Sequence, residues 1–291
     1  MPSLKEIRNR ITSVGSTMQI TSAMKMVSAA KLKKAQDAIT QMRPYAVKLQ
    51  EILGNLSATL DLSENAFSDQ REVKNVLIIA VTSNRGLCGG FNNNILKRVN
   101  VLVHEEYKGI NTSVLCLGKK IKDAYKRTPQ YFINDNLAPL EDVFSNLKFE
   151  NTALIAEEVM HLFQTKAFDK VVVVYNKFIN AASQDVITEQ LLPIVSEVND
   201  NEQNAGDYIF EPSKVEIVED LIPKSLKIQL FKALLDSNAS EHGARMTAMH
   251  KATDNAKELQ RNLKLSYNKA RQAAITNEIL EIVGGAEALN N

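Results

Sequence analysis

Tryptophan is absent from this 291-residue chain, and phenylalanine and tyrosine together supply only 6% of it. Aromatic side chains dominate the buried area of most cores. A chain that is short of them, with 44% of its residues hydrophobic, favours packing of helix on helix. Its 24% of charged residues is ordinary for a folded globular protein and excludes collagen-like and disordered classes.

Cysteine and histidine are also scarce. Two cysteines, Cys88 and Cys116, are too few for a disulfide framework or a four-ligand zinc site, so we expect reduced thiols in an intracellular protein. The four histidines show no His-x-x-x-His spacing, and none lies near Cys88 in sequence to act as its base. The sequence therefore predicts no catalytic residue, no metal site and no cofactor.

Long apolar runs are missing as well. No stretch approaches the ~18 uncharged apolar residues that a membrane-spanning helix needs. The N-terminus carries no signal-peptide core and no Arg/Ser-rich presequence. Any association with a membrane is therefore expected to go through a partner.

Charge nearly cancels over the chain, with 35 basic and 34 acidic residues, but it is unevenly distributed. Residues 1–60 carry a net +6, residues 61–212 a net −6 and residues 213–291 a net +1. The hydrophobic period changes at the same places. We therefore predict an N-terminal coiled-coil helix over 1–60, a central α/β domain over 61–212, and a C-terminal coiled-coil helix over 213–291 that pairs with the first.

Both chain ends have the pattern of long helices. Ser3 with Glu6 forms a capping box, and an apolar seam at steps of 3 and 4 then runs from Leu4 to Met18. A second seam of that kind runs over Met249, Ala252, Ala256, Leu259 and Leu263. We expect Pro44 to kink the first helix and Pro223 to restart the last. Each helix would be about 85–90 Å long, too long for a small domain to bury.

The middle of the chain changes to the pattern of an α/β layer. Continuous apolar runs at 76–81, 114–117 and 171–174 are typical of buried parallel strands, and 184–192 predicts a strand hairpinned to the third. Helical stretches lie at about 92–107, 119–127 and 150–166. This alternation predicts a Rossmann-like domain with a mostly parallel sheet.

A glycine-rich turn, RGLCGGFN at 85–92, follows the first strand. Such turns bind phosphates in many α/β folds, but this one lacks both the G-x-G-x-x-G pattern and a Gly-Lys-Ser/Thr ending. We interpret Arg85, Gly86, Gly89 and Gly90 as a tight structural turn.

Two further segments have polar or basic patterns. Lys25 and the lysines at 31, 33 and 34 form a basic stretch beside Met24, which predicts either a solvated helix face or contact with an acidic partner. Arg271, the last basic residue, lies on the C-terminal helix. It marks either a solvated stripe or a point where a long shaft touches surrounding subunits.

Four separated motifs resemble the gamma subunit family of F-type ATP synthases, in that family's order. Residues 20–31 read ITSAMKMVSAAK, and the turn at 85–92 reads RGLCGGFN. Residues 240–249 with 252–256 read SEHGARMTAM and ATDNA, and residues 275–286 read ITNEILEIVGGA. The resemblance extends from about residue 5 to residue 288.

The resemblance implies a non-catalytic rotor. Such a subunit couples proton flow through a membrane proteolipid ring to ATP synthesis at the beta-subunit sites, by turning inside the ring of alpha and beta subunits. Its implied partners are the alpha and beta subunits, the epsilon subunit and the proteolipid ring, with no nucleic acid and no insertion into the membrane. The missing presequence favours a bacterial enzyme, which places the chain peripherally at the cytoplasmic face of the inner membrane.

Residues are carried over by position in the motifs. Met24, Lys25, Arg271, Gln272 and Thr276 match positions that contact the beta subunits. The Tyr-x-Phe-Glu-Pro segment, with Tyr208, Phe210 and Glu211, matches the foot that contacts epsilon and the proteolipid ring. Asn84 stands where the family usually has Asp, which puts a charge role there in doubt.

Two other classes stay open at this point. An α/β nucleotide-binding enzyme with a coiled-coil arm would bind ATP or NAD as an isolated chain. A coiled-coil tether or nucleic-acid-binding protein would bind DNA or liposomes through its basic N-terminal helix, and salt would weaken that binding.

Overall fold

The structure is a computed structural model that describes residues 3–59, 66–134, 136–137, 140, 142–194 and 214–289. Its helices are α1 (Leu4–Thr59), α2 (Phe91–Val101), α3 (Lys119–Tyr125), α4 (Phe149–Gln164) and α5 (Lys214–Leu289), and its strands are β1 (Asn75–Val81), β2 (Asn111–Leu117), β3 (Lys170–Phe178) and β4 (Gln184–Leu192). A π-helical turn (Leu102–Glu106) extends α2.

The four strands form one sheet in the order β2-β1-β3-β4. Strand β1 pairs in parallel with both β2 and β3, and β4 runs antiparallel to β3. The mixed α/β fold with long terminal helices and a mostly parallel central sheet is therefore confirmed. The predicted hairpin of β3 and β4 is present as well.

The two faces of the sheet bury two separate clusters. Side chains of β1 alternate between them, with Leu77 and Ile79 packing on the α4 and α5 side and Ile78 on the α2 and α3 side. Every residue of β1 after Asn75 is buried. Burial on both faces is the reason that the strand is a continuous apolar run and does not alternate with polar residues.

The long helices follow the sequence prediction at one end and depart from it at the other. Ser3 caps α1, since its Oγ accepts a hydrogen bond from the backbone N–H of Glu6 at 3.2 Å. Helix α1 continues through Pro44. The prediction that Pro223 restarts the last helix was wrong, because α5 begins at Lys214 and contains Pro223.

The chain divides into two compact units, and both long helices contribute to each. One unit comprises Met1–Ser28 and Met246–Asn291, and we call it the paired-helix unit; the other comprises Ala29–Arg245 and contains the sheet. The three domain boundaries proposed from the sequence stay a prediction. Among the described residues, no helix is both long and apolar enough to cross a bilayer.

Helices α1 and α5 run antiparallel within the paired-helix unit. The Arg8 guanidinium donates to the Tyr267 hydroxyl at 2.7 Å, and the Thr253 hydroxyl donates to Thr21 Oγ1 at 2.8 Å. Between these contacts, a Cβ placed on Gly15 would lie 2.9 Å from Gln260 Nε2. Residue numbers therefore fall along α5 as they rise along α1, which is the antiparallel arrangement.

The apolar seam of α1 is covered as predicted. On α5, the covered face departs from the predicted apolar seam at one residue. Ile7 is buried, and Leu4, Ile11, Val14 and Met18 are partly buried. On α5, Met249 and Ala256 are buried, but Leu259 is 50% exposed. Gln260, which lies opposite Gly15, takes the partly buried position in its place.

A cysteine pair tests this antiparallel register. Thr21→Cys with Thr253→Cys should form an intrachain disulfide almost completely under mild oxidation, because the two hydroxyls are already 2.8 Å apart and a disulfide needs Cβ atoms roughly 4 Å apart. Non-reducing gel mobility and thiol titration measure the yield. Thr21→Cys with Leu259→Cys is the control, since six residues shift the second position by about 9 Å. Equal yields from both pairs would contradict the register.

Candidate partner-contact surfaces and the glycine turn

Met24 and Lys25 lie on α1 in the paired-helix unit, and both are half-buried. The Ser28 hydroxyl, one turn further along, donates to the Met24 carbonyl at 2.8 Å. Met26 and Val27 beside them are 63% and 57% exposed. This part of α1 therefore offers both apolar side chains and a lysine to solvent.

Arg271, Gln272 and Thr276 lie on α5 in the same unit, and all three are exposed. The Thr276 hydroxyl donates to the Gln272 carbonyl at 2.9 Å, inside the helix. Every residue from 271 to 286 is exposed. Five of them are large and apolar: Ile275, Ile279, Leu280, Ile282 and Val283.

The structure does not bring these two groups together. The register that joins Arg8 to Tyr267 and Thr21 to Thr253 places Met24 about level with residue 250 of α5, some twenty residues before Arg271. At 1.5 Å per residue that is roughly 30 Å. The unit therefore offers two contact levels, one on α1 and one near the end of α5.

The predicted foot residues Tyr208, Phe210 and Glu211 lie outside the described residues. The predicted turn residues Arg85, Gly86, Gly89 and Gly90 are described, and they join the end of β1 to α2.

Ser83 and Asn92 hold the turn together from inside. The Asn92 side chain accepts from the Ser83 backbone N–H at 3.0 Å and donates to Ser83 Oγ at 2.8 Å. The Ser83 hydroxyl lies 2.6 Å from the Arg85 carbonyl, and the Asn92 amide also donates to Cys88 Sγ at 3.1 Å. The buried Cys88 thiol is thus part of the packing of the turn.

Two turn residues have left-handed backbone conformations. Gly89 has a φ of 59° and Leu87 a φ of 63°. Glycine adopts this region without strain, whereas leucine does so at a cost. Leu87 is also 65% exposed, so packing among the described residues does not offset that cost.

Arg245 on α5 fastens the turn from outside. Its Nη2 donates to the carbonyls of Arg85 at 3.2 Å and Gly86 at 3.4 Å, while its Nη1 donates to Glu241 Oε1 at 2.5 Å. Arg245 and Glu241 are 8% and 9% exposed. Buried charges of this kind persist only when they are paired and hydrogen-bonded, so the turn and this part of α5 form one polar assembly.

His242 lies beside this ion pair. Its Nδ1 is 3.5 Å from Arg245 Nη1. Burial, then the positive charges of Arg245 and Lys31, lowers the pKa of His242 to about 4. The imidazole is therefore neutral at physiological pH and adds no positive charge to the turn.

Asn84 has a structural partner at the start of α3. Its side-chain oxygen accepts from the Lys119 backbone N–H at 2.9 Å, and the Thr82 hydroxyl accepts from the Ile121 N–H at 3.0 Å. An uncharged amide performs this capping as well as a carboxylate does.

Sequence reasoning missed Arg245, Glu241, Ser83 and Asn92 as site residues. Glu241 and Arg245 are spaced by four on a predicted helix, a spacing that is ordinary on solvated faces. Their burial was therefore not visible in the pattern. Among the described residues, no group of three or more His, Cys, Asp or Glu side chains is placed to hold a metal ion.

Comparison with known proteins gives full-length matches. A family profile described as ATP synthase matches residues 3–289. The chain is 62% identical over 292 residues to the ATP synthase gamma chain of Christiangramia forsetii and 61% identical over 291 residues to that of Flavobacterium johnsoniae, with 100% of both chains covered in each case.

Solved structures match the fold. A chain of the Euglena gracilis mitochondrial ATP synthase, in a structure of its OSCP/F1/c-ring portion, aligns with a TM-score of 0.65 and 22% identity, covering 98% of this chain and 94% of its own. A chain of the Tetrahymena thermophila mitochondrial ATP synthase central stalk and c-ring aligns with a TM-score of 0.59 and 24% identity, covering 80% and 99%.

Proposed function

Because this chain belongs to the ATP synthase gamma chain family, we propose that its paired-helix unit transmits torque to the catalytic sites of neighbouring subunits. As a member of that family the chain is the rotor of the central stalk and is not itself catalytic. The observation that carries the proposal is identity of 62% to a gamma chain, with the whole of both chains covered.

Two contact levels carry the torque in this proposal. Met24 and Lys25 touch the beta subunits from α1, and Arg271, Gln272 and Thr276 touch them from α5. Support comes from the exposure of Arg271, Gln272 and Thr276 and from the distance of some 30 Å between the two levels. A rotor shifts each site only by its differential free energy of contact with that site's conformations.

The foot and the cellular location belong to the same proposal. Tyr208, Phe210 and Glu211 contact the epsilon subunit and the membrane proteolipid ring, which proton flow turns. The chain then lies peripherally at the cytoplasmic face of a bacterial inner membrane. Support for a bacterial source comes from relatives of 61–62% identity in Christiangramia and Flavobacterium.

Rotation in a reconstituted complex tests the function. The chain is assembled with the alpha and beta subunits of its own complex, and a bead is attached near the sheet unit at an added surface cysteine. ATP should drive rotation of the bead in one direction. An ATPase rate that does not depend on the chain, together with no rotation, would overturn the proposal.

The Arg271 and Gln272 contact has its own expected result. Arg271→Ala with Gln272→Ala should change the steady-state ATP turnover of the assembled complex severalfold, while the melting temperature and subunit stoichiometry stay nearly unchanged. Exposed helix positions alter stability by only about 0.5 kcal/mol, whereas a charge-assisted hydrogen bond to an acidic partner loop is worth about 1.5–3 kcal/mol.

A matched pair of positions lies ten residues earlier on the same helix. Arg261 and Asn262 are also adjacent and exposed, so Arg261→Ala with Asn262→Ala controls for loss of charge from α5. Turnover that is unchanged at 271–272, or equally changed at 261–262, would reduce the predicted contact to a solvated stripe.

A further inference from the structure

The contact between Arg8 and Tyr267 stands out in the paired-helix unit, because it joins the two helices by two interactions at once. The Arg8 guanidinium donates to the Tyr267 hydroxyl at 2.7 Å, and its central carbon lies 5.7 Å from the centroid of the Tyr267 ring. The ring fixes the position of the cation and the hydroxyl fixes its direction. Arg8 is exposed and Tyr267 is partly buried, and a contact made through two interactions favours one register of the helices and one rotation of α5 about its own axis.

The spacing of the contacts between α1 and α5 supports this register. On α5 they fall at Thr253, Gln260 and Tyr267, and opposite them lie Thr21, Gly15 and Arg8. The α5 positions are seven residues apart, which is the repeat of a coiled-coil seam. Two of these seam positions, at Thr21 with Thr253 and at Arg8 with Tyr267, are specified by hydrogen bonds between side chains and not by apolar packing.

The Arg8–Tyr267 contact is also the nearest to the predicted beta-contact cluster, among the hydrogen bonds between α1 and α5 that the described residues of this unit make. Tyr267 and Arg271 are separated by four residues, so they lie on the same face of α5, one turn apart. By the same register α1 begins, at Leu4, about level with Arg271. Beyond this level the side chains of α5 at 271–286 are all exposed.

The rotation of α5 at this level decides where Arg271 and Gln272 point. The surface of a helix lies about 5–6 Å from its axis, so a rotation of roughly 20° moves a surface group by about 2 Å. A hydrogen bond tolerates only a few tenths of an ångström around 2.9 Å. The last hydrogen bond between the two helices before the cluster, between Arg8 and Tyr267, therefore affects the geometry of the cluster.

We propose that Arg8 and Tyr267 are positioning residues, which orient Arg271 and Gln272 toward the partner subunit by fixing the rotation of α5. This inference rests on the proposed function of the Arg271 cluster. Neither residue needs to touch the partner, since both act through the direction in which the cluster faces.

Two variants dissect the contact in the assembled complex. Arg8→Met keeps the length of the side chain and removes both interactions, whereas Tyr267→Phe keeps the ring and removes the hydrogen-bond acceptor. We expect Arg8→Met to change kcat for ATP at least threefold and Tyr267→Phe to change it less, in the same direction. KM for ATP should stay within twofold in both, because the nucleotide sites themselves are untouched. Lys264→Met, at an exposed cation three residues before Tyr267, should leave both constants unchanged.

Dependence on Arg271 is the decisive readout. In the background of Arg271→Ala with Gln272→Ala, Arg8→Met should have no further effect on kcat, because there is no longer a cluster to orient. If Arg8→Met changes kcat by the same factor in the otherwise unchanged chain and in the Arg271→Ala, Gln272→Ala variant, the positioning role is overturned. Unchanged kcat in Arg8→Met and Tyr267→Phe would overturn it as well, as would a loss of subunit assembly in both, which would make the contact a structural one.

The outcome also separates this inference from the proposed function. If Arg271→Ala with Gln272→Ala leaves turnover unchanged, the proposed contact cluster fails and the positioning role fails with it. If that variant alters turnover and Arg8→Met does not, the cluster stands and only the positioning role is overturned.

Discussion

Replacement of Arg245 by methionine should destabilise the chain by about 3–5 kcal/mol, the usual cost of removing one member of a buried ion pair. Methionine keeps most of the unbranched stem and removes the charge. Glu241 would then be left 9% exposed with its carboxylate unpaired, and the carbonyls of Arg85 and Gly86 would each lose a donor. The free energy of unfolding in urea measures the effect.

The chain offers a matched control on α1. Glu6 and Arg10 form the same kind of pair, with Arg four residues after Glu, but their side chains are 48% and 63% exposed. Exposed pairs of this spacing contribute about 0.3–0.5 kcal/mol. Arg10→Met should therefore cost less than about 1 kcal/mol. Similar losses from Arg10→Met and Arg245→Met would contradict the burial of the pair formed by Arg245 and Glu241.

The same substitution should raise the pKa of His242. Burial is the largest cause of its depression to about 4, and the positive charge of Arg245 is the second. Removal of that charge makes protonation easier, while burial still opposes it, so the new pKa should lie above 4 and below the ordinary value of 6.5. A histidine NMR titration of the folded variant measures it, and an unchanged pKa would contradict the contact between these side chains.

Gly118→Ala should cost at least about 4 kcal/mol, a loss reached only by mutations with a specific structural cause. A Cβ at this position would lie 2.1 Å from the carbonyl oxygen of Thr82. That oxygen belongs to the residue after β1, whose backbone N–H donates to the Leu117 carbonyl at 2.8 Å, so this backbone does not move freely. Gly118 also has a φ of +107°, which side chains other than hydrogen rarely allow.

Two other glycines separate the cost of the steric clash from the cost of a positive φ. Gly89 has a φ of +59° and open space around its missing Cβ, so Gly89→Ala should cost only the backbone penalty of about 1–2 kcal/mol. Gly86 has open space and no positive φ, so Gly86→Ala should be nearly neutral. The urea midpoints of unfolding rank the three variants. If Gly118→Ala does not fold, circular dichroism of the purified chain measures its loss of secondary structure instead. A loss at Gly118 no larger than that at Gly89 would contradict the close approach to Thr82.

Local pattern was enough to predict the elements. Val76 to Val81 is apolar throughout because β1 is buried on both faces. A strand buried in this way has no solvent-facing positions at which polar residues would alternate with apolar ones. Ser3 with Glu6 marks the start of a helix through a hydrogen bond between residues three positions apart. The seam through Ile7 repeats at helical spacing because one face of α1 is covered. The proposed beta-contact positions, by contrast, came only from resemblance to the family, since the contacts proposed for Arg271 and Gln272 are with partners that this chain does not contain.

The sequence by itself determined the strand and helix types, the α/β centre and the long helical ends, because each depends on periods of two to seven residues within one segment. The tertiary structure alone decided which polar residues are buried. Glu241 and Arg245 have the spacing of a solvated pair, yet both are buried, and Arg245 donates to the carbonyls of a turn some 160 residues earlier in the chain. It also decided that Gln260 and not Leu259 faces α1, because Gly15 leaves room there, and that Pro223 lies inside α5. Each of these depends on a surface supplied by a distant segment, and no local pattern records what that segment will be.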